Sequence, residues 1–355
     1  MKEMNSNQLG VEPIVFGEQT AMLNIYDGLA TPFSDDTIIL SEEHAQTITR
    51  FVTSAVEAYG DNQGVAETTY AYALGVPSLL VRVDCTVRNG KLVPYEMEDS
   101  PSGIGVSDKL IYAASGKSLK DAVLNHYEVT AGTIPHVIIS GARKHGTDDA
   151  AIVGEHRYHY EAGKTTLPKL NDTSLVIVKA IPGQSNSALP YLSLQERCLS
   201  PLMTEGNKTY AKRIGIASSV ETEDELLTND DGSLASQAVK AAIGSMSMGV
   251  SIYLTSEERK VFGKDGSVST GRLIRNLARY TENGQAALTE PFHPPIQIIN
   301  TQNRRNAIMR IFVALRRSNV TTRVETNILG GAYVARPELI VHGASNAISG
   351  AVLVK

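Results

Sequence analysis

The chain has 355 residues, enough for about two domains at roughly 150 residues each, and 42% of them are hydrophobic against 20% charged. That is the composition of an ordinary folded globular protein, and a formal charge of −5 argues against non-specific binding to nucleic acid or anionic lipid. Aromatic residues are sparse at 6% and tryptophan is absent, which removes the stacking platforms that hold single-stranded nucleic acid. Two cysteines, Cys85 and Cys198, are too few for a disulfide framework or a cysteine zinc site. Residues 1–10 (MKEMNSNQLG) lack an apolar core, and no apolar run reaches the roughly eighteen residues that span a bilayer. The expectation is a reduced, cytoplasmic protein, with neither a membrane nor a nucleic acid as partner and with room for a homo-oligomer.

Taken in chain order, residues 1–37 read as irregular chain or short strands, with turn signals at Asp27-Gly28 and Thr31-Pro32. From Ser41 to Tyr59 the spacing predicts a helix. Ser41 caps it, Glu42 and Glu43 suit its first turn, and Ala45, Ile48, Phe51, Val52, Ala55, Val56 and Tyr59 share one face. Two strands follow, Ser78 to Val87 and Leu92 to Glu98, joined by the hairpin signal Arg88-Asn89-Gly90-Lys91. Strands are also predicted at Pro135 to Ser140 and Leu175 to Ala180, and a helix at Leu234 to Met246 on the spacing of Leu234, Val239, Ala242, Ile243 and Met246. Ile308 to Leu315 is an apolar run that fits either helix or strand. Leu339 to Val341 reads as a buried strand followed by a small-residue loop, His342 to Gly350. The interleaving predicts an α+β (or α/β) architecture.

The hairpin is the most informative segment. Alternation puts Arg82, Asp84 and Thr86 on one face of the first strand and Glu96 with Glu98 on one face of the second. Neighbouring carboxylates repel unless a cation joins them, and hard oxygen donors of this kind suit Mg²⁺. The plain alternative is a solvent-facing hairpin with an Arg82–Glu pair. The register decides between them. A two-residue Asn89-Gly90 turn pairs Arg88 with Lys91 and sets Asp84 opposite Tyr95, away from both glutamates. A three-residue connection, Arg88 to Gly90, pairs Val87 with Lys91 and puts Arg82 opposite Glu96 and Asp84 opposite Pro94. The metal reading therefore predicts a connection of odd length.

Asp84, then Glu96-x-Glu98 followed by Asp99-Ser-Pro-Ser-Gly, resembles the metal-binding end of the ATP-grasp ligases, in the circularly permuted group that includes glutathionylspermidine synthase-like enzymes. Glu98 stands where an asparagine is usual. The resemblance extends over roughly residues 36–115 and 171–355, and only the hairpin motif is specific. It implies an ATP-grasp-like fold of permuted connectivity, with antiparallel sheets flanked by helices. Its expected division is an N-terminal segment with the metal hairpin (1–115), an accessory segment (116–170), a nucleotide-clamping lobe (171–300) and C-terminal strands rejoining the metal lobe (301–355).

By the same resemblance Asp84, Glu96 and Glu98 hold Mg²⁺. Lys179, ending the apolar strand Ser174 to Lys179, and Lys264, in the glycine loop Val261 to Gly271, reach the phosphates of ATP, and Glu290 in Leu288-Thr-Glu-Pro-Phe-His-Pro-Pro helps hold adenine. Loss of Lys179 is then expected to weaken ATP binding. Guanidinium forks fit phosphate and carboxylate, and of Arg304, Arg305, Arg310, Arg316, Arg317, Arg323 and Arg336 the two flanked by apolar residues, Arg310 and Arg336, are the expected catalytic arginines together with Arg82 of the hairpin. Exposed strand ends and turns account equally well for Lys179 and Lys264. The implied reaction joins a small-molecule carboxylate to an amine through an acyl-phosphate, with ATP and Mg²⁺. The alternatives are a catalytically silent nucleotide- or metal-binding scaffold and a phosphotransferase on the same fold. Glu155-His156-x-x-His159, with His145 and Asp148 upstream, has a helical spacing for metal but no fixed third ligand.

Overall fold

The computed structural model describes residues 2–3, 14–15, 20–26, 29–60, 79–88, 90–98, 103–140, 157–160, 176–180, 198–200, 208–242, 250–262, 266–284, 286–299, 304–318, 323–339 and 347–355. Their arrangement is a mixed α+β fold of three sheets flanked by helices. The 14-residue strand Arg304–Arg317 organises the largest sheet. Its ambiguous apolar run resolves as strand because it is buried on both faces. Ala307, Met309, Ile311, Val313 and Leu315 fill the core on one side, and Asn306, Ile308, Arg310 and Phe312 point to the other.

On one edge this strand pairs antiparallel with Val324–Arg336, which continues through Ile348–Val354 to Ile38–Leu40. On the other edge two strands lie end to end, Ile296–Ile299 against residues 304–307 and Leu80–Arg88 against residues 309–314. The outermost strand here is Lys91–Glu98. A bulge between Phe312 and Val313 is taken up at Gly330, whose φ of 94° favours glycine. At the next residue, a Cβ on Gly331 would lie 1.8 Å from the carbonyl oxygen of Arg310. Gly331 is thus required where the two long strands meet beside Arg310.

The helix Glu42–Gly60 covers the core face of this sheet, burying Ile48, Val52, Ala55 and Val56 with Val83, Cys85, Met309 and Ile311. Its start is fixed reciprocally: the His44 amide donates to Ser41 Oγ and the Ser41 amide to His44 Nδ1, each at 3.3 Å. The opposite face is shared. Helix Ile104–Ser115 packs Leu110 over Ala332 and Ala351 on its far half, and the hairpin half is left for charged side chains.

The second sheet runs in the order Ser218–Val220, Ala287–Pro291, Gln237–Ala241, Ser251–Tyr253, Ser267–Val268, with helix Thr270–Glu282 burying Leu273 and Leu277 against Val220, Val239 and Ala287. This corrects the helix expected at Leu234 to Met246: Gln237–Ala241 is a central strand. A strand with both faces buried carries no period-two signal, and here the buried Gln237 and Lys240 interrupt the apolar run as well. The third sheet is parallel, in the order Cys198–Ser200, Val176–Ala180, His136–Ser140, Arg157–Tyr160. The strand of Lys179 therefore bonds to the segment expected to be accessory, not to the sheet that carries Glu290. Arg157–Tyr160 is a strand, so the helical spacing proposed around His159 does not exist there. Ile348–Val354 replaces the end of the loop expected at His342 to Gly350. Helices Ile104–Ser115, Leu119–Ala131 and Thr270–Glu282 had no sequence expectation. Among the described residues no helix is long and apolar enough to cross a membrane.

Candidate functional site

The hairpin turn is the two-residue kind: Arg88 pairs with Lys91, and Gly90 has a φ of 73°. The odd-length connection is therefore wrong, yet the carboxylates still converge. A bulge between Asp84 and Cys85 supplies the extra residue inside the second strand, where Cys85 pairs with Pro94 and Asp84 with Glu96. Tyr95 is the residue skipped. Pro94 has no amide hydrogen to give the ladder, which is why the irregularity falls there. Arg82 then faces Glu98 rather than Glu96, and Asp84 faces Glu96 rather than Pro94. Asp84 is also directly opposite Arg310, so a charged row crosses three strands on one face.

The second sheet meets this row from above. Lys240 Nζ donates to Glu290 Oε1 at 2.8 Å and lies 3.9 Å from Glu96 Oε2. Glu290 Oε2 is equally close to Lys240 but outside hydrogen-bonding direction, so that contact is coulombic only. Lys208, just before the short helix Thr209–Arg213, places Nζ 2.5 Å from Glu96 Oε1. Its own amide donates to the Ala242 carbonyl at 2.8 Å, tying it to the end of the Lys240 strand. The buried Tyr210 hydroxyl meets both the amide and the carbonyl of Met97, at 2.5 and 3.3 Å, and so occupies the outer edge of the hairpin. Thr86 donates to the carbonyl of Pro294, in the crossover between the two sheets, and His293 of that crossover stacks on Tyr95 at 5.4 Å.

Four carboxylates (Asp84, Glu96, Glu98, Glu290) thus meet four cations (Arg82, Arg310, Lys208, Lys240). Arg82 is the hub of the hairpin half, with Nε 2.8 Å from Asp84 Oδ1 and Nη2 2.8 Å from Glu98 Oε1. Burial alone would lower its pKa; Asp84 and Glu98 outweigh that and hold it above the ordinary arginine value. Burial would raise Glu96, but Lys208 and Lys240 pull it down to about 2. Burial does raise Glu98 against the pull of Arg82, with Asp84 and Glu96 adding to the rise. Glu290 is raised by burial against Lys240. Lys208 is raised because Glu96 outweighs its burial. His293 falls to about 4 through burial, with Lys240 and Arg88 adding to it. Two glutamates two residues apart are driven in opposite directions, a pattern common where proton transfer or ion binding occurs.

Of the residues singled out in the sequence, Arg82, Asp84, Glu96, Glu98, Glu290 and Arg310 come together here. Arg336 does not join them: it sits opposite Asn306 and its Nε is 3.1 Å from Glu338 Oε2. The Lys179 side chain and Lys264 lie outside the described residues. Among the described residues no three carboxylates, thiols or imidazoles form a ready-made metal cage. Every hairpin carboxylate is instead engaged by a cation. Lys208 and Lys240 were missed. Lys240 carried the same signal as Lys179, a lysine in an apolar strand, and the helix assignment concealed it; Lys208 carried none.

The sequence matches no protein-family model and no curated protein. Among solved structures it is similar to one described as "Putative gamma-glutamylcysteine synthetase" from Methylobacillus flagellatus KT, with a TM-score of 0.37 and 11% identity over 86% of this chain and 85% of that one. A likeness of that size carries no argument about fold or chemistry.

Proposed function

We propose that the chain is an ATP- and Mg²⁺-dependent ligase of the permuted ATP-grasp kind, joining a small-molecule carboxylate to an amine through an acyl-phosphate in the cytoplasm. The observation that carries this reading is the buried set of four cations and four carboxylates where the hairpin meets the second sheet. Such a set exchanges partners readily. Phosphates draw Lys208 and Lys240 away from the carboxylates, and freed carboxylates are hard oxygen donors for Mg²⁺. The donor set therefore fits both groups: Asp84, Glu96 and Glu98 would hold the metal, and Lys208 and Lys240, with Lys179 and Lys264 to be tested beside them, would hold the phosphates. Bound Mg²⁺ would supply charge neutralisation at the phosphoryl group. The residues of the chain bind and orient. Glu290 stands beside the crossover Phe292–Pro295, where the resemblance expects adenine, and Arg82 keeps Asp84 and Glu98 in place on the sheet.

A second reading has one observation in its favour. Each carboxylate already has a cation, so the cluster would serve equally as a fastener between two sheets in a silent scaffold. The two are separated by titrating Mg·ATP calorimetrically into the protein and its Lys240→Ala variant. The ligase reading expects binding weakened by about 1.5–3 kcal/mol in the variant. It also expects ADP release when acids and amines are supplied in pairs. Binding without turnover supports the scaffold, and no binding at all leaves the fastener.

A further inference from the structure

The bulge has a second effect, on Tyr95. In a regular strand Tyr95 would face away from Glu96, but the inserted residue turns both side chains to the same side. Its ring packs on Ile308 and Val334. Ile308 is two residues from Arg310 and opposite Val334, so all three side chains lie on the charged face. The ring is stacked on His293, and the phenol is close enough to Arg310 to interact with it electrostatically.

Arg310 is the one cation of the cluster whose claim is unmet. Asp84 gives its oxygens to Arg82, at 2.8 and 3.4 Å, and Arg310 Nε stays 3.9 Å away, buried and without a hydrogen-bond partner. Burial and the neighbouring Arg82 lower its pKa, with Asp84 opposing, but a guanidinium keeps its proton in proteins. The Tyr95 phenol is an O–H donor at neutral pH. Directly across from Arg310 stands Ala332, a side chain with no polar group to offer the guanidinium, covered by Leu110 of the helix Ile104–Ser115. A buried donor left without an acceptor is costly, and such groups in a native fold call for an explanation.

We infer that Tyr95 and Arg310 form an oxyanion subsite that takes the carboxylate of the acid substrate. The oxyanion chemistry stands on these two side chains alone; its assignment to a substrate carboxylate rests on the ligase reading and gives that reading its acid-binding residues.

The test uses acetate and inorganic phosphate as probes, each titrated at constant ionic strength and followed by saturation-transfer NMR for acetate and by competition for phosphate. Wild type should bind acetate saturably, and phosphate should compete no better than acetate itself. Tyr95→Phe keeps the ring and its stack and should weaken acetate roughly tenfold, the loss of one charge-assisted hydrogen bond. Arg310→Gln should abolish the signal, and circular dichroism on both variants checks the fold. No saturable acetate binding, or a Tyr95→Phe variant equal to wild type, overturns the subsite. Phosphate competing tenfold better than acetate overturns the carboxylate assignment. Mg·ATP titration of the same samples keeps the two failures apart, because acetate binding without nucleotide binding sinks the ligase and leaves the subsite standing.

Discussion

The strand Gln237–Ala241 carries two buried polar side chains three residues apart, and they end in opposite conditions. Gln237 has its full set of partners. Its Oε1 accepts from the Leu227 amide and the Thr289 hydroxyl, at 3.1 and 2.8 Å, and its Nε2 donates to the carbonyls of Leu227 and Ala235 at 3.1 and 3.0 Å. Lys240, on the other face, enters a cluster with atoms to spare. Glu290 Oε2, Arg310 Nε and His293 Nε2 are all buried there without a hydrogen bond. A neutral amide with every valence met fixes one arrangement and has nothing to offer a ligand. A charged set with matched totals and unmet atoms is held together electrostatically but not saturated. The first is how this sheet is built, and only the second leaves atoms for a ligand to engage.

The comparison breaks if both networks respond alike to the loss of a member, and the largest response should come from Arg82. It is 2% exposed and holds two carboxylates, so Arg82→Ala leaves uncompensated charge in the core. A loss of about 3–5 kcal/mol is expected in urea unfolding, the usual result of removing one partner from a buried pair. If the variant unfolds at the wild-type midpoint, water already reaches the cluster and the buried-charge account is wrong.

Gln237→Leu comes next. It strands the Leu227 amide and carbonyl and the Thr289 hydroxyl, at about 1–3 kcal/mol for a buried group left unpaired. The informative readout is the second one: Mg·ATP affinity should not change. A weakened nucleotide affinity in this variant would show that the two networks are one.

Much of this was legible in the sequence. The helix from Ser41, the hairpin and the strands at 136–140 and 176–180 follow from capping, turn and alternation signals that act locally. The charged face of the hairpin was legible for the same reason. Its register was not, because the metal reading put the extra residue in the connection, against the Asn89-Gly90 signal for a two-residue turn, whereas it lies inside the second strand. Pro94 was the overlooked signal, since a proline in a strand marks a bulge or an edge. Lys240 and its strand were hidden by burial on both faces, which erases periodicity. Lys208 and Tyr210 reach the site through a short helix whose position depends on tertiary contacts alone, and no local pattern announces that.

Smaller effects should appear with pH. Glu96 is held at about 2 in the folded protein, below its unfolded value, so the unfolded chain binds the extra proton. Its contribution is present above about pH 4.5 and is lost as pH falls towards about 2; the stability gap between wild type and Glu96→Gln should narrow over that window. His293, at about 4, contributes in a higher window, and the advantage of wild type over His293→Gln should shrink from about pH 6.5 down to about 4. Glu98 and Glu290 are raised and act with the opposite sign, gaining stability as pH falls through their folded values. Wild-type stability alone therefore mixes the signs, and only the paired variants read each group.

The smallest effect is expected six residues along the strand from Arg310. Arg316 faces Glu325 directly across the ladder, and its Nε lies 2.6 Å from Glu325 Oε2, a shorter contact than any Arg310 makes. The pair is exposed, at 55% and 44% of the two side chains. Water solvates both charges whether or not they touch, and salt screens what remains. Arg316→Gln should leave the urea midpoint where it is, at low and at high salt, although the bond it deletes is the shorter one. A clear drop at low salt would mean that bond length, rather than burial, sets the worth of an ion pair on this strand. The same drop would make the contrast between the saturated amide and the unsaturated cluster a matter of geometry instead of environment.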